Sequence, residues 1–129
     1  MITLDHTVLR ARNLDQAIHF YREGLGFKHE GKLDRFEIIR VHDGFTIDLV
    51  EANPKDQIHY AFCMGRRSFN EIHSRLKRLN IPFGNGPHSR DNAQPPAEWA
   101  GAKGMADALY FDDPSEHIIE IRTYEADEP

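Results

Sequence analysis

Apolar and polar residues alternate in short runs along most of the chain, and twice the alternation gives way to a helical stripe. Residues 3–11 (TLDHTVLRA) have the period-two pattern of a strand. Asn13 then opens a helix, with Gln16 three positions on in the capping position and Ala17, Ile18, Tyr21 and Leu25 along one face, and Gly26 stops it. FKHEGKL, RFEIIRVH and FTIDLVEA read as strands, the last two joined by a tight hairpin signal at Asp43-Gly44. Residues 1–53 thus form one β-α-β-β-β module. Asn53-Pro54-Lys55-Asp56 breaks the pattern as a linker, and residues 57–125 repeat it. QIHYAFCM is a strand, and Ser68, with Glu71 completing a capping box, starts a helix whose stripe is Ile72, Leu76 and Leu79. Ile81-Pro82 ends that helix, and strands follow around Phe83, at DALYFDD and at HIIEIRTYE. A stretch rich in Gly, Pro and Ala, 84–106, interrupts the second copy, and the tail EADEP reads as frayed.

A repeat of this size decides the fold class, because a β-α-β-β-β module cannot bury its sheet alone and must pair with another. The expectation is an α+β fold, one domain over residues 1–129, in which two modules form a cupped mixed or antiparallel sheet. The helices would cover its outer face.

Composition narrows the partners. With 129 residues, 16 basic and 21 acidic, the formal net charge is -5 and no long like-charge run occurs, which argues against nucleic acid and against an anionic membrane. No apolar run approaches the roughly 18 residues of a membrane span. Cys63 is the only cysteine, so no intramolecular disulfide can form, and the amino terminus is patterned like a strand rather than a signal peptide. A cytoplasmic protein with a small-molecule substrate is expected.

Successive side chains on a strand point to opposite faces, so the ionisable groups can be sorted. On the first strand Thr7, Leu9 and Ala11 oppose His6, Val8 and Arg10; in the second copy Tyr60, Phe62 and Met64 oppose His59, Ala61 and Cys63. Ile47 and Leu49 oppose Asp48 and Val50, while Ile119 and Ile121 oppose Ile118, Glu120 and Arg122. Tyr110 turns away from Leu109 and Phe111 and joins the ionisable set. Each module thus offers one histidine on its first strand and one carboxylate on its last. Such residues are ordinary on a solvated sheet face. On a concave, partly dehydrated face they are costly unless protons, partners or a cation satisfy them. Two imidazoles with one or two carboxylates and no thiolate suit one divalent metal, Mn, Fe, Ni, Co or Zn, with positions left open for substrate.

The segments DHTVLRARNLDQAIHFYREGLGF, IHYAF and LYFDDPSEHIIEI resemble the vicinal-oxygen-chelate (VOC) superfamily, which holds glyoxalase I, fosfomycin-resistance thiol transferases, type I extradiol dioxygenases and bleomycin-resistance proteins. The resemblance covers essentially the whole chain. It implies metal ligation by His6, His59 and Glu120, with Asp48 as a candidate fourth ligand where glyoxalase I has a glutamate one methylene longer. Glu51 faces away from Asp48 in an unbroken strand and is read as surface.

The resemblance also implies a chemistry: the metal chelates adjacent substrate oxygens and stabilises the negative charge that develops there. HTVLR is similar to bacterial glyoxalase I, where the arginine matching Arg10 helps hold the glutathione carboxylate, so glutathione or another thiol is a candidate cosubstrate. Glu120 or Asp48 would move a proton, with Tyr110 as a second catalytic residue, and Arg10 would bind substrate; by position, Trp99 and Arg122 are further candidates for substrate binding. IHYAF and Tyr110 are similar to the fosfomycin-resistance enzymes, but Val8 stands where those have threonine. LYFDDPSEHIIE matches much of the extradiol dioxygenase signature, yet Glu116 departs from it and no histidine lies in 101–108. The function implied is a glyoxalase-like lyase or isomerase, or a thiol transferase. The alternatives are an extradiol-type dioxygenase and a metal-free, ligand-sequestering protein of the bleomycin-resistance kind. A homodimer is expected, because metal residues in this family often come from two chains.

His19, His29, His42, His73, His88 and His117 are read as solvated surface, and Cys63 as a small buried hydrophobe. The stretch 84–106 is read as a lid carrying Trp99 onto the substrate.

Overall fold

The structure, a computed structural model, describes residues 1–127. Its contacts divide into two compact units, the first Met1–Asp56 and the second beginning at Gln57.

In the first unit β1 (His6–Ala11) is followed by helix α1 (Leu14–His19), then β2 (Lys28–Leu33), β3 (Phe36–His42) and β4 (Phe45–Glu51). Asn13 Oδ1 accepts the Gln16 amide at 2.9 Å, satisfying one of the amides that a helix start leaves open. Past His19 the helix widens into a π-helical turn, Phe20–Gly24, which buries Phe20 and Tyr21. The strand order is β1-β4-β3-β2, with β1 parallel to β4 and the rest antiparallel. Strand β1 begins three residues later than the alternation predicts: Met1, Ile2 and Leu4 are exposed, and only the Asp5 carbonyl joins β4, accepting from the Thr46 amide at 3.2 Å. The Asp43-Gly44 hairpin is present, with His42 paired to Phe45 across it.

The second unit repeats this order: β5 (His59–Cys63), α2 (Arg66–Arg78), β6 (Ala97–Gly101), β7 (Gly104–Asp112) and β8 (Ile118–Thr123), with strands arranged β5-β8-β7-β6 and β5 parallel to β8. Helix α2 starts two residues before Ser68, so the expected capping box is not the cap. The Arg66 amide instead donates to Glu125 Oε1 at 2.7 Å, and the Arg66 guanidinium, itself buried, donates to the Glu125 carbonyl at 2.7 Å and to Asp107 Oδ2 at 2.6 Å. A tail that reads as frayed therefore closes the helix. The helix ends at Arg78 with Leu79 as its cap, and just past it Asn80, with a positive φ of 55°, lets the Ile81 amide reach back to the Leu76 carbonyl at 2.9 Å.

The stretch 84–106 is not a free lid, since β6 lies within it and pairs with β7 along its length. Phe83 is not in a strand; beside it Gly84 makes an isolated bridge to Tyr110, with both backbone bonds at 2.8 Å.

Alternation sorts the faces as the pattern requires. In the first unit Leu9, Ala11, Ile47 and Leu49 are buried on the side where α1 packs, while His6 and Val8 are exposed. In the second, Leu109, Phe111, Ile119 and Ile121 are fully buried, as are Phe69 and Leu76 of α2, whereas His59, Ala61 and Cys63 are exposed. Each fully buried side chain of this size contributes about 1.5–3 kcal/mol, so a one-residue register slip in either sheet is strongly disfavoured. Leu79 of the expected stripe is exposed at the helix end, and Phe69 takes its place in the core. Among the described residues no helix is long and apolar enough to cross a membrane.

Candidate functional site

The parallel pairs β1/β4 and β5/β8 set the ionisable groups in equivalent places. Val8 pairs with Asp48 in the first unit and Ala61 with Glu120 in the second, so each acid sits two register positions beyond its unit's histidine on the same face. Antiparallel pairing of β7 with β8 then sets Tyr110 directly beside Glu120.

In the second unit these residues meet. His59 Nε2 lies 3.0 Å from Glu120 Oε1, with the histidine side chain 44% exposed and the carboxylate 5%. Tyr110, also buried, hydrogen-bonds Glu120, and burial followed by the Glu120 charge pushes its phenol well above the usual tyrosine range, so it stays protonated. The His59 ring stands edge-on to Tyr110 at 6.0 Å, and Trp99 does the same at 6.1 Å from another side. The Trp99 indole N–H is taken by the Asn85 carbonyl at 2.7 Å, so Trp99 packs on Tyr110 from β6 rather than riding on a lid. Beside His59 and Glu120 lies a concavity of about 380 Å³ whose wall includes Cys63, Gly101, Lys103 and Tyr124. Cys63 is exposed there, not buried.

Arg122 is also on this wall, but it holds its donors inward. Nη1 donates to Glu120 Oε2 at 2.7 Å, and Nη2 to the carbonyls of Trp99 at 3.0 Å and Gly104 at 3.2 Å. Burial works to lower its pKa, but the hydrogen bonds and charges of Glu120 and Tyr124 together raise it.

In the first unit His6 Nδ1 lies 2.7 Å from Asp5 Oδ2, leaving Nε2 directed elsewhere. Its pKa is raised first by that hydrogen bond and next by the charge of Asp48. Asp48 Oδ1 accepts from Thr46 Oγ1 at 2.9 Å. Arg10 is half-exposed on the same face as His6, and Glu51, paired with Ala11, is on the other.

The donor set fits a divalent metal in one respect that geometry can test. Two neighbouring ligands with bonds of about 2.1 Å at the right angles of an octahedral site stand about 3.0 Å apart, the separation that the His59 Nε2–Glu120 Oε1 hydrogen bond already has. The His6–Asp5 contact has the form of the carboxylate that orients a ligating imidazole. Among the described residues, no three His, Cys, Asp or Glu side chains form a group that could hold a metal ion.

Two residues read as surface prove structural. His117 is buried, and its Nδ1 accepts the Ile58 amide at 3.0 Å, fastening the start of β5 beside His59. Asp113 Oδ1 shapes that turn by accepting from the Ser115 and His117 amides. The Asp-Pro-Ser sequence carried that signal, since aspartate commonly bonds the backbone two residues on. His73 packs its edge on Phe83 at 5.2 Å.

Several solved structures share this fold. Oxidase ChaP-H2 is 22% identical, with a TM-score of 0.81 over 96% of this chain and 94% of that one. A glyoxalase/dioxygenase from Nostoc punctiforme is 18% identical, with a TM-score of 0.73 over 96% of this chain and 92% of that one. The fosfomycin resistance protein FosX from Mesorhizobium loti is 16% identical, with a TM-score of 0.68 over 97% and 95%. Members of this fold family typically bind a divalent metal and a small-molecule substrate, and often form dimers. A family model matches residues 3–121, and on that match the chain belongs to the Glyoxalase/Bleomycin resistance protein/Dioxygenase superfamily.

Proposed function

We propose that this protein is a divalent-metal-dependent enzyme, a glyoxalase-like lyase or isomerase or a thiol transferase, acting on a small substrate with adjacent oxygens. His6, His59 and Glu120 are its metal ligands and Asp48 a candidate fourth. The observation that carries the reading is the His59–Glu120 pair, a half-exposed imidazole 3.0 Å from a buried carboxylate at the edge of a concavity. A buried carboxylate is costly without a positive partner. Here its second oxygen is ion-paired to Arg122, and its first is hydrogen-bonded to the half-exposed imidazole, the pair a metal would have to open.

A bound divalent metal would supply Lewis-acid stabilisation of charge developing on the substrate oxygens. In this reading Glu120 takes a proton from a substrate carbon, and Tyr110, whose protonation burial and the Glu120 charge favour, is the neutral donor beside it. Arg10 offers a planar fork suited to a substrate or cosubstrate carboxylate, as in glutathione. Likeness to an oxidase and to a glyoxalase/dioxygenase supports a second reading, oxidative chemistry on a catechol-like substrate.

The first test is metal content by plasma mass spectrometry on protein purified without a metal-binding tag, alongside His59→Ala. Near-stoichiometric Mn, Fe, Ni, Co or Zn in the parent, lost in the variant, is the expected result. The metal found then selects among hemithioacetals, fosfomycin with thiols, and catechols under oxygen. No bound metal, even after each ion is supplied, would sink the chelate reading and bring a ligand-sequestering role forward.

A further inference from the structure

Arg122 is the least ordinary group near the site: a guanidinium 6% exposed, inside a small sheet, opposite a carboxylate 5% exposed. Burying an ion pair is stabilising only when its geometry is good and its remaining hydrogen bonds are made. Here Nη1 holds Glu120 Oε2 at 2.7 Å, and Nη2 and Nη1 together reach the carbonyls of Trp99, Gly104 and, at 3.4 Å, Ala100, while the buried Nε alone finds no hydrogen-bond partner among the described residues. Every carbonyl belongs to the β6–β7 hairpin. The Tyr124 ring covers the guanidinium at 5.2 Å, and the Tyr124 hydroxyl in turn accepts the Lys103 amide at 3.0 Å at the hairpin tip. Gly101 completes the enclosure: a Cβ there would stand 2.3 Å from Arg122 Cζ, so only glycine lets the strand close over the charge.

Glu120 has three side-chain torsions, and this clamp fixes them from one end. With Oε2 held by Arg122, Oε1 is presented to His59. The first unit lacks the device, since Val50 stands two residues after Asp48 where Arg122 follows Glu120, and Asp48 is held instead by Thr46. We infer that Arg122 is a positioning residue, not a substrate-binding one: the β6–β7 hairpin clamps its guanidinium, and through it locks Glu120 in the orientation that offers Oε1 beside His59.

The metal arm of the test rests on the proposed role of Glu120 as ligand; the imidazole arm does not. Titration calorimetry with manganese chloride and zinc chloride, metal alone, is run on the parent, Arg122→Met, Arg122→Lys, Gly101→Ala, Glu120→Gln and the Arg122→Met/Glu120→Gln double variant. The expected result is about 10–100-fold weaker metal binding in Arg122→Met, the usual effect of losing a group that orients a ligand. Arg122→Lys should recover part of it, and the double variant should bind no more weakly than Glu120→Gln alone. Equal affinity in Arg122→Met and parent, or a full additional loss in the Glu120→Gln background, would overturn the inference.

Side-chain nitrogen NMR of His59 reads the same lock without metal. Its Nε2 signal should lose its hydrogen-bonded character in Arg122→Met while circular dichroism stays native, and an unchanged signal overturns the inference whether or not the parent binds metal. Should Arg122→Met fail to fold, Gly101→Ala displaces the guanidinium without removing it and is read against the same two outcomes.

Discussion

Removing the Glu125 carboxylate isolates a helix cap that sequence reading assigns to the wrong residue. Glu125→Ala deletes the acceptor of the Arg66 amide but keeps the backbone carbonyl that binds the Arg66 guanidinium. The loss is one N-cap bond, about 0.5–2 kcal/mol, plus the interaction of an anion with the positive end of the helix, about 0.3–1 kcal/mol. Together these predict a destabilisation of about 1–3 kcal/mol. Ser68→Ala should change stability by less than about 0.5 kcal/mol, because Ser68 is exposed in the third position of the helix and alanine favours helix. Urea unfolding followed by far-ultraviolet circular dichroism reads mainly α2, the longest helix among the described residues. With a urea slope of about 2 kcal/mol/M, Glu125→Ala moves the midpoint down by about 0.5–1.5 M at unchanged slope. Part of the effect should fade in high salt. If Ser68→Ala costs more than Glu125→Ala, the assigned cap is wrong.

Gly84→Ala should cost about 3 kcal/mol, the upper end of an overpacking penalty, because its Cβ would fall 1.7 Å from the Ser89 carbonyl oxygen. Chemical denaturation measures the loss, and Trp99 emission should shift to the red as Asn85 releases the indole. The His73 pKa is lowered, by burial first and the Lys77 charge second. As pH falls through the ordinary histidine range the unfolded chain therefore takes up its proton before the folded one, and stability declines. His73→Gln should flatten that acid-side decline in unfolding free energies measured from pH 7.5 to pH 5; an unchanged slope would place the cause elsewhere.

The fold was legible because period-two alternation, two helical stripes and one break at Asn53-Pro54 are strong local signals, and their repetition fixes the topology. The same alternation places His59, Tyr110 and Glu120 on one face of the second sheet. Harder to read was anything depending on a distant partner. The cap of α2 comes from Glu125, 59 residues away from Arg66, and no local pattern announces it. Strand β6 has little alternation of its own and exists because β7 pairs with it. Arg122 reads as a candidate substrate group because it shares Glu120's face, or as solvated because it stands near a strand end; the hairpin that closes over it is invisible from its neighbours in sequence. Gly101-Ala102-Lys103-Gly104 did carry the signal of a turn, though not of what the turn encloses.

The matching positions of Asp48 and Glu120 give the chain a duplicate. Two acid positions equal in topology differ in their setting: one ends in a long carboxylate locked from behind, the other in a short one tethered by a threonine. The first can specialise in rigidity while the second stays free to change length or lose its charge without unfastening a hairpin. Variation in this lineage should therefore accumulate at 46–50 sooner than at 120–124, and engineering of new specificity should begin there.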